Sequence, residues 1–383
     1  LIMLKDWPLN SRAIRKPGAL ERIVDKFGSK IMKLPRSILI GGLLLVAVGI
    51  YGIKLVTTEV NMFSFFEKGN KIRDSLEFLD KKMLGAMDLE FLIKGDMKDP
   101  ELLQQISQLQ DYVEKNPSVS ITFSIADVIK RMHRTVMDDD PDYETVPDDR
   151  AKVNNLYTMY SMSGDPDDLT ALVDYEYSKA LVTAILKNVS TKSSVLFVND
   201  IEQFVDKNFT KYKDISATGQ LVVLRDMVEL VIKSSVISIC VSIVVITFIA
   251  AIFFRHLGWG ILAVIPLSAA VILNFGFMGI LKIDLNHVTA LLSSVIIGVG
   301  VDFAIHYISQ YRRLARAKVP IETRSNRVID EVGYPIILDA LSNMAFGALL
   351  FSEFVPLQHM GGLMVFAMFS TSFGTLTILA SLL

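Results

Sequence analysis

The chain has 383 residues, 51% hydrophobic and 21% charged, with a mean hydropathy of +0.42, a balance too apolar for one soluble domain and too charged for a bare membrane bundle. Its formal charge of -2 conceals an asymmetry: residues 57–229 carry 20 Lys+Arg against 31 Asp+Glu, whereas residues 1–36 carry nine against three. That distribution excludes a nucleic-acid surface, and a single cysteine, Cys240, with no CxxC or Cys/His cluster, excludes an internal disulfide, structural zinc and cofactor chemistry on sulfur.

In chain order, residues 1–36 read as a basic cytoplasmic linker, and 37–56 as a first transmembrane helix, its charge-free core approaching the roughly 20 residues that cross a bilayer. A long insert, 57–233, follows. Within it, Asp88 to Lys94 alternates like a strand, and Asp99 to Lys115 has an Asp-Pro start with helical apolar spacing. Ser118 to Phe123 returns as a strand. After the acidic loop Asp138 to Asp149, a strand near Ala180 to Leu186, a helix from about Ser193 to Asn208 and a strand from Asp214 to Thr218 repeat the pattern. Two βαβ units predict paired ferredoxin-like subdomains. A helix around Asp226 to Lys233 then leads into five further spans at 234–254, 259–281, 285–310, 334–354 and 360–383, with a basic loop at 311–333. The predicted fold is an α-helical membrane protein, six spans in a one-plus-five arrangement, with an inserted α/β extracytoplasmic domain.

Orientation follows from the short loops, because Lys and Arg stay on the cytoplasmic side. The loop 311–333 holds six basic residues against three acids, and Arg255 and His256 follow the second span. The alternate loops hold only Lys282, Asp284 and Glu353. This predicts an inside N-terminus, a multi-pass protein of the cell membrane, and residues 57–233 outside.

Few ionisable groups lie in the spans. Asp302, deep in the fourth, carries a cost of about 2.5–3.5 kcal/mol at mid-membrane, met by protonation, a partner or a water-filled cavity. It reads either as a proton or ion site or as a protonated structural carboxyl. Gly298 and Gly300 before it permit close helix approach. Counted at 1.5 Å per residue, Asp302 stands about 12 Å above Gln310 and Asn343 about 13 Å above Tyr334, with His306 and Asp339 at roughly 6 and 7 Å. Asp302 with His306, and Asp339 with Asn343, are spaced i, i+4, which predicts a two-rung polar ladder. His306 has the alternative of a snorkelling interfacial side chain, and Ser342 and Asn343 that of plain interhelical hydrogen bonding. Met62, Phe63, Phe65 and Phe66 read as an interfacial aromatic belt or, more sharply, as a lip admitting lipid. Asn188-Val-Ser190 and Asn208-Phe-Thr210 match the short glycosylation sequon. No nucleophile elbow, Walker loop or HExxH motif occurs, so a hydrolytic or ATP-driven mechanism has no residues to use.

The segment GVGVDFAIHYISQYRR (Gly298 to Arg313) resembles the signature of the proton-relay helix of the resistance-nodulation-division (RND) superfamily, especially its MmpL and hopanoid-type lipid exporters. LDALSNMAFGALLFS (Leu338 to Ser352), the closing Gly361 to Leu383, and IADVIKRM with ATGQ in the insert are also similar. The resemblance implies a proton-motive-force-driven exporter of lipids or other hydrophobic molecules, with a relay of Asp302, His306, Asp339, Ser342 and Asn343, and no cofactor. Family members have two such halves. The opening LIMLKDW looks like the tail of a preceding helix, so the chain reads as a C-terminal half whose partner is the N-terminal half, an oligomer being compatible with this. Phe303 stands where many relatives have tyrosine, so a direct Asp-Tyr hydrogen bond cannot form at that pair. The competing class is a non-transporting sterol-sensing or scaffold protein, or an export accessory of SecDF type.

Overall fold

The computed structural model describes residues 34–163, 169–209 and 214–383. All but the last three positions of the 1–36 linker, and Thr210 of the second sequon, lie outside the described residues. In order, the elements are α1 (Pro35–Ile53), α2 (Lys71–Lys82), β1 (Met87–Lys94), α3 (Pro100–Val113), β2 (Val119–Phe123), α4 (Ile125–Val136) and α5 (Arg150–Ser163). There follow β3 (Lys179–Leu186), α6 (Thr191–Asn208), β4 (Ile215–Thr218), α7 (Gln220–Phe254), α8 (Leu257–Leu281), α9 (His287–Arg316), α10 (Ile321–Asn343) and α11 (Val355–Gly374). Two compact units result: residues to Thr57 with Lys233–Ser352 and Pro356–Leu383, and Thr58–Ile232 with Glu353–Val355.

The second unit is built on one sheet of order β2-β3-β1-β4, every neighbouring pair antiparallel. The two βαβ units are therefore interleaved in a single ferredoxin-like sheet and do not form paired subdomains. β3 lies between the parallel β1 and β2, and β1 between the parallel β3 and β4. The reason is physical: a two-stranded βαβ unit alone leaves ladder groups unpaired. Met87, Leu89, Phe91 and Ile93 of β1 are buried beside Ala180, Val182, Ala184 and Leu186 of β3, so the two central strands bury one common face.

Three helices here were not predicted. α4, which carries the IADVIKRM segment, is announced by a capping box: Ser124 Oγ accepts from Ala126 N at 3.1 Å and Ser124 N donates to Asp127 Oδ2 at 2.9 Å. Beneath it, buried Gln110 accepts from Ser124 Oγ at 2.8 Å and donates to Thr122 Oγ1 at 3.2 Å, so a polar group inside the core is satisfied. α2 and α5 have weaker signals, α2 being capped by Asn70. The ATGQ segment ends β4 and starts α7. Gly219 has φ +93°, and an added Cβ would lie 2.6 Å from Asp88 Oδ2, the same oxygen that accepts from Gln220 N at 3.1 Å. Only glycine lets the chain turn there with the carboxylate on the new helix's N-terminus.

Among the described residues, six helices are long and apolar enough to cross a membrane. α7 has 35 residues, about 52 Å at 1.5 Å per residue, which exceeds a hydrocarbon core of about 30 Å. In the first unit, α1 and α8 touch backbone to backbone. Gly49 and Gly52 face Gly276 and Gly279; a Cβ on Gly276 would stand 2.5 Å from Gly49 Cα, and one on Gly279 would stand 1.9 Å from Gly52 O. Lipid offers no hydrophobic drive between helices, so this close van der Waals fit holds the pair. Polar stitches add to it: Ser238 and Ser294 hydroxyls at 2.5 Å join α7 to α9, and Asn274 Nδ2 donates to Leu363 O at 2.9 Å between α8 and α11. α10 passes at Asn343 into eight residues of 3-10 helix, Met344–Phe351, and α11 passes into a π segment, Thr375–Leu379.

Candidate functional site

α9 starts at Asn286, whose side chain accepts from the backbone N–H groups of Val288 and Thr289 while the Thr289 hydroxyl accepts from Asn286 N at 2.9 Å. The helix then sorts its residues by face. Gly300, Phe303, Ala304, Tyr307, Ile308 and Tyr311 are buried at i, i+3, i+4 spacing, while Gly298, Asp302 and His306 are exposed one turn apart on another side. Gly300 meets the next element as expected: a Cβ there would stand 2.6 Å from Thr371 Cγ2 of α11. Gly298 does not, having nothing within 4 Å of an added Cβ, and so belongs to the exposed stripe of Asp302. Phe303 is fully buried. The departure from tyrosine thus falls on the packed face, where an apolar ring fits and a hydroxyl would need a partner.

On α10, Asp339 and Ser342 are exposed and Asn343 half-buried. Asn343 Nδ2 donates to Asp339 Oδ1 at 3.2 Å and to Asp339 O at 3.0 Å, so the predicted i, i+4 pair on this helix is formed. Among the described residues, neither the Asp302 carboxylate nor the His306 imidazole makes a side-chain hydrogen bond, and Asp302 is not joined to Asn343. The count from sequence set Gln310 level with Tyr334; in the structure Gln310 bonds Glu331, which also accepts from Arg313 at 2.8 Å.

The aromatic group after α1 is turned inward. Asn61 Oδ1 accepts from Phe63 N at 3.0 Å and starts a 3-10 turn, Met62–Phe65, that buries Phe63 and Phe65. Phe65 and Phe66 both pack edge-on against Phe354 at 5.6 Å. Only Met62 of the four is exposed, so these residues form a packed cluster and no open lip. Sequence reasoning missed the contact of Gln310 with Glu331; a Gln and an acid facing each other across a basic loop were the available signal.

The chain matches the MMPL family over residues 94–383. Among curated proteins it is similar to the membrane protein MJ1562 of Methanocaldococcus jannaschii, 25% identical over 269 residues, covering 70% of this chain and 66% of that protein. Among solved structures it is similar to the hedgehog release protein Disp from the water bear Hypsibius dujardini, with a TM-score of 0.70 and 14% identity over 99% of this chain. That match covers 51% of the Disp chain, so this chain spans about half the length of the solved structure it resembles. With its six spans, its four-stranded sheet unit and its Asp302 helix all inside the matched fold, the chain belongs to the MMPL family, within the RND superfamily.

Proposed function

We propose that the chain is one half of a proton-motive-force-driven transporter that exports lipids or other hydrophobic molecules, with Asp302 as its proton carrier. One observation carries the reading: Asp302 and His306 form an exposed polar stripe on a membrane helix, and Asp339 is exposed on the helix that follows. A carboxylate facing lipid costs about 2.5–3.5 kcal/mol, so such a stripe serves a function only against a protein surface or a water-filled cavity. The family's second half supplies the cover, and the half-length match to Disp supports that arrangement. Alternation of Asp302 between charged and neutral forms changes how α9 sits on α10, and α7, continuous from the sheet unit's last strand, carries the motion outward. One charge moved through 100 mV supplies about 2.3 kcal/mol, enough to shift a two-state equilibrium more than tenfold.

The test is reconstitution of the complete protein in proteoliposomes, with lipid movement followed under an imposed pH gradient. Export that ignores the gradient would overturn the proton-driven reading, and no export under any gradient would favour a sensor or scaffold. Topology has its own test: a cysteine at Asp142 in the exposed acidic loop should react with an impermeant maleimide in intact cells, and one at Arg316 only after permeabilisation. Reaction at Arg316 in intact cells would reverse the orientation.

A further inference from the structure

Two hollows in the membrane unit share a wall. One of about 640 Å³ lies among α1, α8 and α11 over Gly41, Gly42, Ala270 and Gly374. A second of about 640 Å³ lies between the end of α8, the 3-10 segment and the start of α11, and contains Gln358 and His359. Phe366 and Phe369 line both, and Phe366 is stacked on Phe277 of α8 at 4.2 Å. Each volume falls in the range of about 300–1,000 Å³ typical of small-molecule sites.

The chemistry changes along the path. At one end stand the His359 imidazole, half-buried, and the Gln358 amide, which donates to Ser352 O at 2.7 Å. At the other, the only hydroxyls are Ser370 and Thr377, and both donate within their own helix, to Ala367 O at 3.1 Å and Phe373 O at 2.6 Å. That end is left as hydrocarbon wall. Its width comes from backbone: glycines on α1 and α11, Pro266 on α8, and the π segment that presents Thr377 and Ile378. π turns interrupt helices mostly where a function uses them. From Gln358 to Ile378 is about 30 Å at 1.5 Å per residue, the thickness of a hydrocarbon core, and from Gln358 to Phe366 about 12 Å.

We propose that the two hollows are one site for an acyl chain of an amphipathic membrane lipid, its polar end at Gln358 and His359, its chain passing Phe366 and Phe369 into the glycine-floored hollow. A water-soluble ligand finds no hydroxyl proton free to donate in the inner part, and a lipid matches the polar-to-apolar order and the length together. Met344, which directly follows Asn343, lines the outer hollow, so the site adjoins the polar residues of α10. The proposal rests on the lipid-handling reading above.

It is tested on the complete protein in phosphatidylcholine nanodiscs containing phosphatidylcholine with a diazirine on the terminal carbon of an octanoyl or a stearoyl chain. After photolysis, mass spectrometry locates the adducts. The octanoyl probe should label the segment from Gln358 to Phe366, and the stearoyl probe the segment from Phe369 to Ile378. Gly374→Leu and, separately, Gly41→Leu should each reduce stearoyl labelling of the inner segment at least about fivefold, equivalent to about 1 kcal/mol of lost affinity, without changing octanoyl labelling. Both positions accept a Cβ: the first would meet Pro266 Cβ at 3.6 Å and the second nothing within 4 Å. Labelling that is the same for both probes, equal on exposed Phe248 of α7, and untouched by either substitution would mean annular lipid only and overturn the site. Absence of inner-segment labelling in the unsubstituted protein with proton-driven export intact overturns the site and leaves the transport reading standing; failed export with the labelling pattern intact does the reverse.

Discussion

The Asp302→Asn protein is expected to lose proton-coupled export by about fifty-fold, the factor equivalent to the roughly 2.3 kcal/mol that one charge gains from 100 mV. Asparagine keeps the size and hydrogen-bonding capacity of the carboxyl and removes only its titration. Asp302 is exposed and its carboxylate makes no hydrogen bond among the described residues, so the substitution deletes no contact within the chain, and expression and melting temperature should stay near those of the parent. Asp302→Glu, which still titrates on a longer stem, should retain part of the activity. His306→Ala should slow turnover and move its pH profile without abolishing it. The measurement is lipid export in proteoliposomes at a fixed pH gradient, beside a thermal melt of the same preparations. Wild-type export by the Asn variant would make Asp302 a structural carboxyl and overturn its assignment as the proton carrier.

The second large effect is on stability. Gly279→Ala adds one methyl group, yet that carbon would sit 1.9 Å from the carbonyl oxygen of Gly52. Both partners are backbone, so no rotamer change relieves the clash, and α1 must move away from α8. Overpacking in cores costs typically about 1–3 kcal/mol, and a backbone collision lies at or above the top of that range, lowering the melting temperature by about 5 °C or more. Gly298→Ala provides the contrast. Nothing lies within 4 Å of its added methyl, so its melt should match the parent. A single detergent-solubilised melting series compares the two, and equal melts would show that the α1–α8 contact contributes nothing to stability.

Hydropathy alone located six spans and their interruption by one long insert, because a bilayer demands about 20 apolar residues wherever the backbone crosses it. The same logic made Asp302 conspicuous, since a charge in hydrocarbon carries a large desolvation cost wherever it points. Strand alternation and the Asp99 cap gave β1, α3 and β2 within a residue or two. Three things had to wait for the tertiary structure. Local periodicity reports which strands have a buried face but not which strands pair, so two βαβ units could be read as two subdomains until the β1–β3 register interleaved them. A membrane helix is apolar nearly all round, so its sequence cannot say which side packs: Gly300 meets Thr371 while Gly298, two residues earlier, meets nothing. The height of one helix against another is set by side chains that meet across a loop. Counting along the chain had set Gln310 level with Tyr334, whereas its side chain bonds Glu331. Composition and period fix what each segment must bury; the identity of its neighbour depends on long-range contacts that no local window contains.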